Sequence, residues 1–241
     1  MPTTAPSVVL VHGGFSDTSG WIGVVAELQR HRIPVLAAAT PLRGLAYDTV
    51  YLSAFLDRID GPVVLVGHAY GGAVITAAGA ATRIVGLVYV SSYLPDAGES
   101  YTDLQDRFAP APVLASLQRS PRARADDDTD AELTIRADAY PEVFAADVAP
   151  DLAEVLAAIQ RPLAESTLTD TAPVAAWRGK PTWALITGAD RVMPPEIQRF
   201  TAHRAGAAVR EAATASHAVA LSQPSLVADL IVEAVHALRP A

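Results

Sequence analysis

Short runs of consecutive apolar residues alternate along this chain with segments whose apolar positions recur every three or four residues. SVVLV (Ser7 to Val11), IPVLAAAT (Ile33 to Thr40), PVVLV (Pro62 to Val66), IVGLVYV (Ile84 to Val90) and PTWALIT (Pro181 to Thr187) are rich in Val, Ile and Leu and bounded by turn residues. Such runs suit strands buried on both faces. Between them, Trp21 to Arg32, Thr49 to Ile59 and Gly71 to Ala80 read as helices. The first ends in Arg30, His31 and Arg32, where positive charge suits the helix dipole. Pro195 to Ala205 reads as a further helix, Ala208 to Ala212 as a short strand and Gln223 to Leu238 as a final helix. Strands alternating with helices of this length predict an α/β fold, a mostly parallel central sheet covered by helices on both sides.

The rhythm breaks between about Pro95 and Lys180, where prolines and acidic residues are frequent and the pattern is helical or irregular. The expected organisation is therefore a core made of residues 1–94 and 181–241, interrupted by a helical cap or lid at residues 95–180. ADDDTD, Ala125 to Asp130, reads as a solvated turn, because no histidine lies nearby to complete a metal-ligand set.

Composition narrows the function. With 241 residues, 51% of them hydrophobic, the chain can bury the core of one domain with an insertion. A net charge of −8 argues against a nucleic-acid partner. The absence of cysteine excludes disulfides, thiolate metal sites and cysteine nucleophiles. The N-terminus lacks a basic region before its first apolar run. The most membrane-like stretch, Ala73 to Val90, is interrupted by Arg83 and punctuated by Gly79 and Gly86, so it reads as helix, turn and strand. A soluble cytoplasmic protein with a small-molecule substrate and no membrane partner is expected. No G-x-G-x-x-G follows the first strand and no paired His/Glu motif is present, so no cofactor and no metal are expected. The oligomeric state leaves no signature in the sequence.

The chemistry centres on VGHAYGG, Val66 to Gly72. A strand, a glycine-flanked turn and a helix make the layout of the G-x-S-x-G nucleophile elbow, but Ala69 occupies the position of the serine. TGADRVMPP places Asp190 just past a strand, and TASHAV places His217 in a loop before the last helix. The order of elbow residue, Asp and His is that of a Ser-His-Asp site. Asp190 would hold the imidazole tautomer and His217 would be the base and later the acid. Two backbone N–H groups would form an oxyanion hole. Tyr70 supplies one, and Gly14, in the His12-Gly13-Gly14-Phe15 loop, the other. Phe15, Trp21 and Tyr93 are candidate substrate-binding residues, with a place in the core as the alternative. His12 and His68 sit beside glycine turns and read as groups that orient loops. His31, His203 and His236 fall among polar helix neighbours and suit the surface.

VLVHGG, TPLRGL, VVLVGHxYGGAVI, YLPDAGE, VFAAD, GADxxMPPEIQRF and SHAV together resemble the α/β-hydrolase superfamily over nearly the whole chain. The likeness is to its small members, the plant methylesterase and hydroxynitrile-lyase proteins and actinobacterial hydrolases. The resemblance implies a helical cap between the fourth strand and the strand before Asp190. Those relatives read GHSYGG, so Ala69 is a departure that puts the acyl-enzyme step in doubt. Three readings stay open. A serine has been replaced by alanine, disabling a hydrolase of small apolar esters or lactones. Or alanine is native and the His217–Asp190 dyad serves proton transfer, elimination, cyclisation or cofactor-free oxygenase chemistry. Or the protein binds a small ligand without catalysis.

Overall fold

Five apolar runs and the short run at Ala208–Ala212 become six parallel strands of one sheet. The computed structural model describes residues 5–121 and 131–239. The acidic run Ala125 to Asp130 lies outside the described residues. The central sheet contains β1 (Ser7–Val11), β2 (Val35–Ala38), β3 (Val63–His68), β4 (Ile84–Val90), and, later in the chain, β8 (Thr182–Thr187) and β9 (Ala208–Ala212). Its order is β2-β1-β3-β4-β8-β9, and every neighbouring pair is parallel.

Side chains alternate across a strand, so each apolar run feeds two cores. Val8, Leu10, Val64, Val66, Val88 and Val90 face one side of the sheet. There they meet Val24 and Leu28 of α1 (Ile22–Arg30) and Val227, Leu230 and Ile231 of α9 (Pro224–Ala237). Val9, Val11, Leu65, Leu87 and Tyr89 face the other side. Their partners include Leu52 and Leu56 of α2 (Leu45–Leu56) and Val74 and Ile75 of α3 (Gly71–Ala78). Full burial of each such aliphatic side chain contributes about 1.5–3 kcal/mol.

The α2 helix begins at Leu45, four residues earlier than its apolar pattern indicates. The cause is tertiary. The Asp170 carboxylate accepts a hydrogen bond from the Leu45 N–H at 2.7 Å, and Gly44 turns into the helix at φ +120°. A carboxylate from far along the chain thus satisfies a helix-end donor.

The segment between β4 and β8 is not purely helical or irregular. It holds α4 (Tyr101–Gln105), α5 (Tyr140–Val143) and α6 (Pro150–Ile159). It also holds β5 (Leu117–Pro121), β6 (Ala131–Ile135) and β7 (Leu163–Ala164). These three strands form their own antiparallel sheet, and among the described residues none joins the central one. The expectation of a helical insertion is corrected to a mixed one. AELTI in β6 does alternate, with Ala131, Leu133 and Ile135 buried, but LQRSP in β5 is exposed beyond half-buried Leu117 and carries no apolar period. Only non-local pairing makes it a strand. The remaining helices are α7 (Pro195–Arg204) and α8 (Val219–Ser222). Among the described residues no helix is long and apolar enough to cross a membrane.

Candidate active site

The turn from β3 into α3 is built around close backbone approaches. A Cβ on Gly67 would lie 2.6 Å from the Gly71 carbonyl oxygen, and one on Gly71 would lie 2.4 Å from the Val11 carbonyl oxygen. Only glycine fits at both. Between them Ala69 has φ +49°, a left-handed conformation that costs a residue with a Cβ about 1–3 kcal/mol. Its neighbours hold it there. The Ala69 N–H donates to the Val90 carbonyl at 3.2 Å, and the Ser92 hydroxyl donates to the Ala69 carbonyl at 2.6 Å.

Asp190 follows β8, at the carboxyl end of the sheet, where ligands bind in open α/β sheets. Its Oδ1 accepts the Val192 and Met193 N–H groups, each at 2.8 Å. Its Oδ2 accepts from the Thr187 hydroxyl at 2.9 Å and from Gln198 Nε2 at 3.0 Å. The same oxygen lies 2.8 Å from His217 Nδ1. A carboxylate only accepts, so Nδ1 carries a proton, and in the imidazole tautomer this selects, Nε2 is the nitrogen with the free lone pair. That Nε2 is buried and has no hydrogen-bond partner among the described residues.

His217 and Ala69 line one cavity of about 60 Å³. Space of that size admits a few waters or the reacting end of a ligand. Gly14, Phe15, Tyr70 and Tyr93 line it too. Among the described residues, neither the Gly14 nor the Tyr70 N–H has an acceptor in the protein. Most of the rest of the wall is apolar, supplied chiefly by Leu117, Leu133, Leu163, Val192 and Met193, with Tyr101 and Thr167 among them. Tyr93 is buried, and burial followed by the influence of Tyr101 and Asp170 pushes its hydroxyl pKa far up, so it stays a neutral donor.

Trp21 is not part of this wall. It is buried in the core on the α1 side of the sheet, its ring edge-on to His68 at 6.1 Å, and it lines a separate cavity. Of its two alternatives, pocket wall or core, Trp21 combines core packing with a place in the lining of that second cavity, which Phe15 and His68 also line. His68 Nε2 donates to the His217 carbonyl at 2.9 Å, and the two rings lie 4.5 Å apart. Burial, then the proximity of His217, holds the His68 pKa well below the ordinary value, so the ring is neutral. His12 Nδ1 donates to the Gly13 carbonyl at 2.9 Å, and burial lowers its pKa as well. Tyr70 points away from the cavity at its tip, with its hydroxyl donating to Asp48 at 2.8 Å. His31, His203 and His236 are exposed.

Sequence reasoning missed the supports. Thr187 and Gln198 steady Asp190, and nothing in the spacing of TGADRVMPPEIQ announces them. It also missed Tyr101, Leu133, Leu163 and Met193 as wall residues, because their convergence depends on how the inserted segment folds back. Among the described residues no group of three or more His, Asp or Glu side chains could hold a metal ion.

Known proteins share this architecture. A carbendazim hydrolyzing esterase of Nocardioides sp. (strain SG-4G) is 32% identical over 125 residues, which cover 45% of this chain and 51% of that protein. The match thus spans about half the length of that curated relative. The crystal structure of polyneuridine aldehyde esterase superposes with a TM-score of 0.83 at 20% identity, covering 96% of this chain and 99% of the other. Tomato methylketone synthase I, complexed with 2-tridecanone, superposes with a TM-score of 0.80 at 17% identity, covering 98% and 100%. The two structural likenesses concern the fold. The description "Alpha/beta hydrolase family" fits residues 8–230, nearly the full length, and the chain therefore belongs to the alpha/beta hydrolase family.

Proposed function

We propose that this chain carries the machinery of a Ser-His-Asp ester hydrolase for a small apolar ester or lactone, with Ala69 in the nucleophile position. One observation carries the reading. His217, oriented through Nδ1 by Asp190 and with its Nε2 unpaired, lines the same cavity as the left-handed elbow residue. With a hydroxyl at position 69, Nε2 would take its proton as the oxygen attacked the substrate carbonyl. The Gly14 and Tyr70 amides would stabilise the oxyanion. His217 would then return the proton to the leaving alcohol. The apolar wall favours an uncharged substrate, and the Tyr93 hydroxyl offers one polar contact. The esterase name of the Nocardioides relative is in keeping with this chemistry.

Alanine supplies no oxygen, so the chain as it stands does not form an acyl-enzyme. Removing the serine of a comparable triad costs on the order of 10⁶ in turnover. Tyr70 and His68 do not substitute, because both tips are engaged elsewhere.

The completeness of the dyad and amides without a hydroxyl supports a second reading. A base and an anion site suffice to move a proton on a bound carbonyl compound. The complex of the tomato relative with 2-tridecanone makes an apolar ketone a reasonable probe. The test compares the chain with Ala69→Ser on short-chain aryl esters and lactones, each with and without His217→Ala. The hydrolase reading expects Ala69→Ser to raise turnover by several orders of magnitude and His217→Ala to abolish the gain. No gain from the hydroxyl rejects it in favour of chemistry on the dyad alone.

A further inference from the structure

Two sequence motifs far apart in the chain, VFAAD (Val143 to Asp147) and SHAV (Ser216 to Val219), meet at the site. The Asp147 carboxylate accepts three hydrogen bonds from the histidine loop and the helix after it. Its donors are the Ser216 N–H at 3.2 Å, the Ser216 hydroxyl through a short contact, and the Ser222 hydroxyl at 2.9 Å. On the other side of His217, the Ala218 N–H donates to the Phe144 carbonyl at 3.0 Å. Both residues that flank His217 are therefore held by the inserted segment. The Phe144 ring stands edge-on to the His217 imidazole, with centroids 4.8 Å apart. Tyr140, stacked on Phe144 at 4.7 Å, donates its hydroxyl to the Phe15 carbonyl at 3.0 Å. Phe15 follows Gly14 and has φ +59°. One eight-residue stretch thus grips the loop carrying the base and the loop carrying an unpaired amide.

We infer that residues 140–147 are a positioning element that sets the His217 imidazole, with Asp147 as its principal contact; in its kinetic part this rests on the hydrolase reading above. His217 has four supports. Asp190 fixes its ring nitrogen, and His68 fixes its carbonyl from the sheet side. Phe144 bounds its ring, and Asp147 fixes the residue before it. The first two are made by residues of the parallel-sheet core, outside the inserted segment. The last two exist only while the inserted segment is docked. Alignment of the base is thereby tied to docking of the segment that also walls the substrate cavity through Leu133 and Leu163. Asp147 touches no reacting atom, so it acts through Ser216 and is not a catalytic residue.

The test uses Asp147→Ala and Asp147→Asn in two backgrounds, the chain as it stands and Ala69→Ser. In the first, proton NMR reads the low-field line of His217 Nδ1–H hydrogen-bonded to Asp190, which needs no turnover. Asp147→Ala is expected to broaden or abolish that line through faster exchange, while Asp147→Asn retains it, because an amide oxygen still accepts from the Ser216 N–H. In the Ala69→Ser background Asp147→Ala is expected to lower kcat about 10- to 100-fold with KM changed less than about threefold, as for misplacement of a base. Asp147→Asn is expected to recover most of that loss. An unchanged low-field line in Asp147→Ala overturns the inference whatever the esterase assay gives. So does an Asn variant as impaired as the Ala variant, since that makes charge rather than position the cause. If the line responds as expected but Ala69→Ser is inactive throughout, the hydrolase reading fails and the positioning role stands.

Discussion

At the scale of single residues, the elbow is held by what is missing from its side chains. Gly71 lies so close to the end of β1 that an added methyl meets the Val11 carbonyl oxygen at 2.4 Å, and a backbone atom cannot swing away. Gly71→Ala is expected to destabilise the protein by about 1–3 kcal/mol or more, read as a lower urea midpoint at unchanged m-value. A midpoint equal to the parent's contradicts the packing described here. This part of the site was legible in the sequence because a tight strand-to-helix turn restricts which residues fit, and VGHAYGG displays that restriction. The pairing of Asp190 with His217 was legible from chain order. The location of Trp21 was not, because an aromatic ring beside a glycine loop serves equally as pocket wall or as core. Its place is set by packing against the His68 ring, a contact that joins residues 47 positions apart in sequence.

At the scale of elements, periodicity recovered what local pattern controls and missed what distant partners control. Five strands were visible as continuous apolar runs because burial on both faces leaves little room for polar residues. Their parallel direction follows from the alternation with helices, whereas their order, β2-β1-β3-β4-β8-β9, is set by tertiary packing. The start of α2 was hidden because its first turn is satisfied by Asp170 rather than by a neighbouring cap. Asp170→Ala is accordingly expected to cost about 0.5–2 kcal/mol, with added hydrogen exchange confined to the first turn of α2. Global rather than local exchange would show that Asp170 does something other than cap. The small sheet β5-β6-β7 was hidden for a related reason. β5 has no apolar alternation of its own, and β7 is two residues long.

At the scale of the whole molecule, burial of His12 and His68 beneath the site has a consequence for pH. Both folded-state pKa values are lowered, chiefly by burial. Below about pH 6.5 the unfolded chain therefore binds protons that the folded chain refuses, and stability falls with falling pH. The loss begins near the unfolded value and continues down to the folded one, by at most about 1.4 kcal/mol per pH unit for each histidine. Urea unfolding at pH 7.5 and 5.5 should show a lower midpoint at the acid value. Equal midpoints would mean that these rings are not buried neutral. Keeping the His12 and His68 rings buried and neutral thus carries a cost in acid stability.

The most direct test of position 69 as a nucleophile site is covalent capture. Ala69→Ser protein is mixed with a small apolar aryl phosphonate ester, and intact mass with peptide mapping reads the adduct. The account predicts stoichiometric phosphonylation at position 69, lost in Ala69→Ser/His217→Ala and absent from the parent chain. A hydroxyl at position 69 that stays unmodified in folded protein, or one labelled equally without His217, would contradict it.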